Sequence, residues 1–227
     1  MLSYTFVVVW EGIDGAGKTT LLEEVSKILE KRGYRVGRYK TPSDTATGRI
    51  AKIVGNSAMI DPLTRMFLFL ANTSDDSTTM SNAIEHDKPS FYFIDRYYLC
   101  SIIYGLALIE KRTNTPLSSI ELKNFLNLVE KLGSKIFIKP DAYIVVVVDE
   151  ETRLRRLSAK QERPDITYEL DTQLQNKALK LYEEFKNMNP EKVIWVENRD
   201  GALKGNADKI ANDLIRRREK ALRIRVG

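Results

Sequence analysis

The chain of 227 residues has one cysteine, Cys100, so no internal disulfide can form, and a reducing intracellular compartment, the cytoplasm, is its simplest setting. It has one histidine, His86, which reads as a surface residue rather than a catalytic base. No apolar run is long enough for a membrane: the longest, 142–148, falls far short of the roughly 20 residues that a spanning helix needs. The apolar start at 6–10 lacks the basic flank of a cleavable signal and runs straight into glycines, so it reads as a first strand. Internal repeats and low-complexity linkers are also lacking, which leaves one expected domain over 1–227, large enough to bury a core unaided.

Apolar residues make up 43% and charged residues 30%, proportions that argue against long disorder. The net charge of +5 suits a protein that handles polyphosphates, but charge alone does not separate nucleotides from nucleic acid. The basic stretch 216–225 has no interleaved aromatics and reads as a solvated helix end, so no nucleic-acid partner is expected.

Five runs rich in Val, Ile and aromatics, at 5–10, 35–40, 91–95, 142–149 and 192–197, read as strands. Helical periodicity fills the gaps, as in Leu21, Leu22, Val25, Ile28 and Leu29, or Leu174, Ala178, Leu181 and Phe185. Strands this apolar have no wet face. The alternation therefore predicts an α/β three-layer sandwich with a five-stranded parallel sheet and right-handed crossovers. Ligands of such sheets bind beyond the carboxyl ends of the strands, which directs inspection to the residues just after Trp10, Tyr39, Ile94 and Val148.

After the first of those ends, Gly12-Ile13-Asp14-Gly15-Ala16-Gly17-Lys18-Thr19 matches the Walker A spacing, between a strand and a helix as the motif requires. A chance match in a chain of this length is on the order of one in a hundred before that context is counted. Glycines let backbone N–H groups wrap phosphates, and the following helix adds the partial positive charge of its N-terminus. Gly12, Asp14, Gly15, Ala16, Gly17, Lys18, Thr19 and Thr20 are thus the candidate residues for ATP. Lys18 would reach the β and γ phosphates and the Thr19 hydroxyl would reach Mg²⁺. Asp95 ends an apolar strand beside this loop, where a carboxylate could bind the metal through water or orient Arg96.

With Glu11 in front and Asp14 inside, the loop resembles that of the thymidylate kinases, a family of P-loop nucleoside monophosphate kinases. Further segments resemble the family in the same order: Pro42, Ser43, Asp44, Thr45 and Gly48; then Phe67, Phe69, Ala71 and Asn72; then Asp95-Arg96-Tyr97 with Ser101 and Tyr104. Pro140-Asp141 and Tyr168-Glu169, followed by Gln175, Lys177, Ala178 and Leu179, extend the resemblance to about residue 185. It implies that Asp14 binds the acceptor sugar, Phe69 stacks on its base and Arg96 holds its phosphate, while Tyr168 closes over sugar or base. Pro42, Asn72, Ser101 and Tyr104 complete the implied acceptor site. Aromatic stacking on a flat base and a planar guanidinium fork on phosphate oxygens both make physical sense. Without the resemblance, Phe69 reads as core beside Met66, Phe67 and Leu70.

The resemblance also implies a mobile lid over the donor phosphates at about 153–167, which would exclude water. Gly15 stands where a loop arginine would otherwise follow Asp14, so Arg156 and Arg163 are the candidate cations for the transferring phosphoryl group, with Lys18, Arg96 and Asp95 as their catalytic partners. Arg153 and Arg155 read as the solvated face of a helix. Three departures bear on the acceptor: Thr73 replaces a family arginine, Lys40-Thr41-Pro42 replaces Arg-Glu-Pro, and Gly105 replaces a glutamine.

The expected activity is transfer of the γ-phosphoryl group of ATP-Mg²⁺ to dTMP, by a homodimer whose helices at 63–70 and 99–108 pair. The departures leave open a different or broader pyrimidine monophosphate specificity. A deoxynucleoside kinase would need a carboxylate base, for which Glu11 is available. A non-enzymatic switch fits least, because Asn176-Lys177 sits in a predicted helix and cannot supply a guanine-reading motif.

Overall fold

The structure is a computed structural model that describes residues 4–57, 59–159 and 168–226. Its elements in chain order are β1 (Phe6–Gly12), α1 (Lys18–Lys31), β2 (Val36–Lys40), α2 (Ala46–Gly55), α3 (Pro62–Asp87), β3 (Phe91–Asp95), α4 (Tyr98–Thr113) and α5 (Ser119–Leu132). They continue with β4 (Ala142–Val147), α6 (Glu150–Ser158), α7 (Thr172–Met188), β5 (Val193–Glu197) and α8 (Leu203–Val226).

The five strands form one parallel sheet in the order β2-β3-β1-β4-β5. Side chains alternate across it with a period of two. Phe6, Val8 and Trp10 of β1, with Ala142, Ile144 and Val146 of β4, meet Leu21, Val25 and Leu29 of α1 and Ile210 and Leu214 of α8. Val7, Val9, Tyr143, Val145 and Val147 point the other way, onto α4, α5 and α7. The three-layer sandwich is therefore as expected, and only the edge strands β2 and β5 keep exposed positions.

The strand limits shift for local reasons. The fourth strand was expected to reach 149 but stops at Val147, because the Asp149 side chain accepts the Thr152 N–H at 2.8 Å and caps α6. The first runs on to Gly12, which pairs with Val146. Gly12 has φ 127°, and a Cβ there would lie 2.0 Å from the Val146 carbonyl oxygen, so glycine is required where the strand opens into the loop.

Gly105 on α4 plays a packing role. A Cβ at that position would lie 2.4 Å from Met66 Sδ and 2.7 Å from Met66 Cβ, so the glycine is what lets α3 approach α4. An exposed Gly→Ala change inside a helix gains about 1 kcal/mol, but here the contact includes a Cβ that cannot swing away. Gly105→Ala is expected to destabilise the fold by about 1–3 kcal/mol in urea unfolding, and Met66→Ala in the same chain to recover part of that loss. Simple additivity of the two substitutions would show that the helices do not meet there.

Candidate active site

Polar chemistry gathers at the carboxyl ends of β1, β2 and β3. Five of the helices α1–α7 have their first N–H groups capped by a side chain of the preceding residue: Thr45, Asp61, Ser118, Asp149 and Asp171. In α4 the cap comes from β1, where Glu11 Oε1 accepts the N–H groups of Tyr97 and Cys100 at 3.2 Å each. Helix α1 has no side-chain cap among the described residues. Its N-cap is Gly17 in the left-handed conformation, and its first turn holds no acid. The N–H groups that open α1 are thus available to an anion.

Lys18, 7% exposed, donates to the carbonyls of Gly12 at 3.1 Å and Ile13 at 2.7 Å. Burial pulls its pKa down to about 8, the nearby Arg96 guanidinium pulls the same way, and Asp14 opposes them. Thr19 donates to Asp95 Oδ2 at 3.0 Å. A cavity of ≈ 410 Å³ over this loop is lined by Asp14, Gly15, Gly17, Lys18, Thr19, Thr20, Lys40, Asp95, Arg96, Arg156 and Glu169.

A second cavity, of ≈ 380 Å³, adjoins it and shares Asp14, Lys40, Arg96 and Glu169 with it. Beyond those residues its lining includes Pro42, Arg65, Phe69, Ser101, Tyr104 and Tyr168. Asp14 joins the two spaces. It pairs with Arg96, and its Oδ2 accepts from Tyr104 and Gln175 at 3.2 Å each. Burial pushes the Asp14 carboxyl up, but Arg96, Lys18 and those hydrogen bonds outweigh it and hold it at about 2. Arg96 adopts φ 68°, a left-handed conformation unusual for a side chain of its size. Its N–H donates to Trp10 O at 3.0 Å and its carbonyl accepts from Thr41 Oγ1 at 3.0 Å, so sheet and loop hold the strained residue on both sides.

Most of the sequence-predicted residues are brought to one place. Asn72 is not: it is fully buried beneath α2 and donates to Thr45 and Thr47 at 3.3 Å, away from the lining of either cavity. Ala16 faces inward, its carbonyl accepting from Asn198 at 2.9 Å and Arg156 at 3.3 Å. Arg156 also donates to Asn198 O and pairs with Asp200, both at 2.8 Å. Arg163 and lid positions 160–167 lie outside the described residues. The solvated-face reading of Arg153 is corrected: it is 2% exposed, packs over Gly15 and donates to Glu169 O at 2.6 Å, whereas Arg155 is exposed and pairs with Asp200.

Four residues without an assigned role prove central. Gln175 accepts from Asp14 N and Tyr104 and donates to Tyr168 O, tying the P-loop to α4 and α7. Its signal was a polar residue in the apolar stripe of Leu174 and Ala178. Asn198 directly follows the fifth strand and supports Ala16. Cys100, beside Arg96, accepts from it at 2.9 Å. Arg65 is 9% exposed, with its guanidinium 4.5 Å from the Phe69 ring centre and 4.4 Å from that of Tyr168.

Comparison with known proteins agrees with this geometry. The family model described as thymidylate kinase matches residues 10–201. A thymidylate kinase of Caldicellulosiruptor saccharolyticus is 28% identical over 93% of this chain and 98% of its own length. A probable thymidylate kinase of Thermoplasma volcanium is 33% identical over 79% of this chain and 84% of its own. The crystal structure of thymidylate kinase from Ehrlichia chaffeensis superposes with a TM-score of 0.64 at 15% identity, covering 92% of this chain and 98% of that one, a likeness of fold.

Glu11 supplies a test of the local electrostatics. Burial pushes its carboxyl from 4.5 up to about 7, against the pull of Arg96 and of its bond from Tyr182. The native carboxyl therefore keeps its proton to higher pH than the unfolded one, and its contribution is complete below about pH 4.5 and lost as pH rises through about 7. Wild-type stability is expected to fall across that window by on the order of 3 kcal/mol through this group. Glu11→Gln keeps an acceptor for Tyr97 and Cys100 and should flatten the profile in urea titrations at about pH 5 and about pH 8. An unchanged profile would place the titration elsewhere.

Proposed function

The chain belongs to the thymidylate kinase family, and from that premise we propose that it transfers the γ-phosphoryl group of ATP to the 5′-phosphate of dTMP, giving ADP and dTDP. The observation that carries this reading is the pair of adjoining cavities. One is ringed by the cations Lys18, Lys40, Arg96 and Arg156, the other is walled by aromatic rings, and Asp14, Lys40 and Arg96 belong to both. Two phosphates of opposite roles would meet at that shared edge.

Phosphoryl transfer of this kind needs positioning and charge stabilisation more than covalent help. The acceptor phosphate is ionised at neutral pH and is itself the nucleophile. Arg96, held by Asp14 and its strained backbone, would orient it. Lys18 and the N–H groups of α1 would hold the donor phosphates, with Arg156 beside them as the cation at the transferring group. Phe69 would take the face of the base, and Ser101, Tyr104 and Tyr168 the rest of the acceptor. The hydroxyl of Thr19 and the carboxylate of Asp95, 3.0 Å apart at the phosphate cavity, are the oxygen donors a hard divalent cation requires. Those two residues would hold Mg²⁺, which when bound neutralises charge on phosphate oxygens.

The nucleoside-kinase alternative is disfavoured by Glu11, which is fully buried and engaged in capping α4, outside the lining of both cavities. A homodimer is supported by Leu63 and Phe67 of α3 and Leu128 of α5, each about half exposed. A cytoplasmic setting is supported by the free Cys100, and among the described residues no helix is long and apolar enough to cross a membrane.

Purified protein with ATP, Mg²⁺ and dTMP is expected to form ADP and dTDP in equal amounts and to leave thymidine unchanged. Arg96→Ala should lower kcat/KM for dTMP by about 10²–10³-fold with little effect on the KM for ATP, and Lys18→Ala should depress turnover with every acceptor. Absence of dTMP-dependent ADP release would sink the assignment.

A further inference from the structure

The acceptor cavity has two unlike ends. One is the edge shared with the P-loop cavity at Arg96 and Lys40; at the other are Asn56, Arg65, Phe69 and Tyr168, of which none lines the P-loop cavity. If the phosphate lies at the first end, as the proposed function requires, the base lies at the second, and this inference rests on that reading.

Arg65 is a cation with no paired counter-charge among the described residues. Among the described residues no carboxylate pairs with its guanidinium, and its Nε is buried without a hydrogen-bond partner. It is nine-tenths buried, and its guanidinium lies between two rings, Phe69 one turn further along α3 and Tyr168 opposite. A buried polar group in such a position is normally satisfied by protein or water, and when it lines a cavity the missing partner is a ligand atom.

Packing sets the side chain there. Position 73, two turns along the same face of α3, is closed to the cavity: Thr73 is buried and donates to Phe69 O at 2.8 Å, so it offers no donor to a ligand. Met66, beside Arg65, is seated in the space that Gly105 leaves on α4. That contact fixes the rotation of α3 and turns Arg65 toward Tyr168.

The geometry points to Arg65 as the residue that reads the acceptor base, by donating hydrogen bonds to a carbonyl oxygen on the rim of the base remote from the sugar. Base and guanidinium are both flat and both need Phe69. A base stacked on that ring moves the guanidinium to its rim, where the long stem of the arginine lets the fork follow. A guanidinium only donates. It therefore matches the 4-oxo group of thymine or uracil and opposes the 4-amino group of cytosine, which also donates. Arg65 is in this sense a specificity residue, selecting oxo over amino pyrimidines.

The test combines variants with a deleted substrate atom. Values of kcat/KM at saturating ATP are compared for dTMP, dCMP and the 2-pyrimidinone deoxynucleotide that lacks the 4-oxygen, using wild type, Arg65→Met and Arg65→Lys. Wild type is expected to prefer dTMP over both others by on the order of 100-fold. Arg65→Met keeps the apolar stem and should lose about that factor on dTMP, mostly in KM, while changing little on dCMP and the 2-pyrimidinone, so that the preference collapses. Arg65→Lys should restore part of it. Equal losses on all three acceptors would mean that Arg65 only packs the site, and they overturn the inference, as does a preference that both variants retain. Should neither variant fold, wild type alone decides: no discrimination between dTMP and the 2-pyrimidinone overturns the inference. A wild type that phosphorylates dTMP without selectivity overturns only the role of Arg65, whereas one that phosphorylates no pyrimidine monophosphate overturns the proposed function with it.

Discussion

The buried carboxylate of Glu11 is the constraint on which the site depends. It immediately precedes the P-loop, and its Oε1 holds the N–H of Tyr97, which immediately follows Arg96. Its Oε2 accepts from Tyr182 of α7 at 2.8 Å. One side chain thus fixes the spacing between the P-loop, Arg96 and the helix that carries Gln175. Three donors and the field of Arg96 offset only part of the hydration it loses, which is why burial still holds its carboxyl above the usual carboxylate range. Because Arg96 and Glu11 flank the site from adjacent strands, moving either would displace the edge where the two cavities meet.

The charges around that edge are deliberately unequal in effect. Asp14 is committed to Arg96, Tyr104 and Gln175, and Asp95 to Thr19. Among the described residues Lys18 has only carbonyl oxygens and a distant Asp14 at 4.0 Å, and Arg65 has no paired acid. Burial lowers the pKa of Lys18, which is the response of a cation short of counter-charge. A bound polyphosphate would bring that counter-charge to donors already held in place, so little reorganisation would accompany transfer.

The fold was legible because its signals are local and repeated. Strands such as Phe91–Asp95 are short apolar runs whose two faces are both buried, and the P-loop announces itself by spacing alone. The errors at strand ends came from capping, as with Asp149, where a local hydrogen bond competes with the sheet ladder. Candidate residues were easiest to pick out at strand ends, such as Asp95 and Arg96, which the structure brings to one cavity. They were illegible where the role depends on helix rotation. Gln175, Arg153 and Arg65 each look like ordinary polar positions until tertiary contacts turn them inward. Asn72 shows the opposite: its motif was visible, but its amide donates to Thr45 and Thr47 away from both cavities.

Residues 65, 69 and 73 show why such rotation matters. Spaced four apart on α3, they drift by only about 40° per step and share one face. A functional group lost at one of them can therefore be carried at another without moving the backbone, provided the helix keeps its azimuth. The azimuth is held by Met66 against Gly105, a position where a larger residue would push α3 away. Threonine at 73 and glycine at 105 are then not separate departures from the family pattern, and both bear on where Arg65 lies. The glycine admits the methionine, the methionine orients the arginine, and the threonine, bonded to its own helix, leaves the face clear for it.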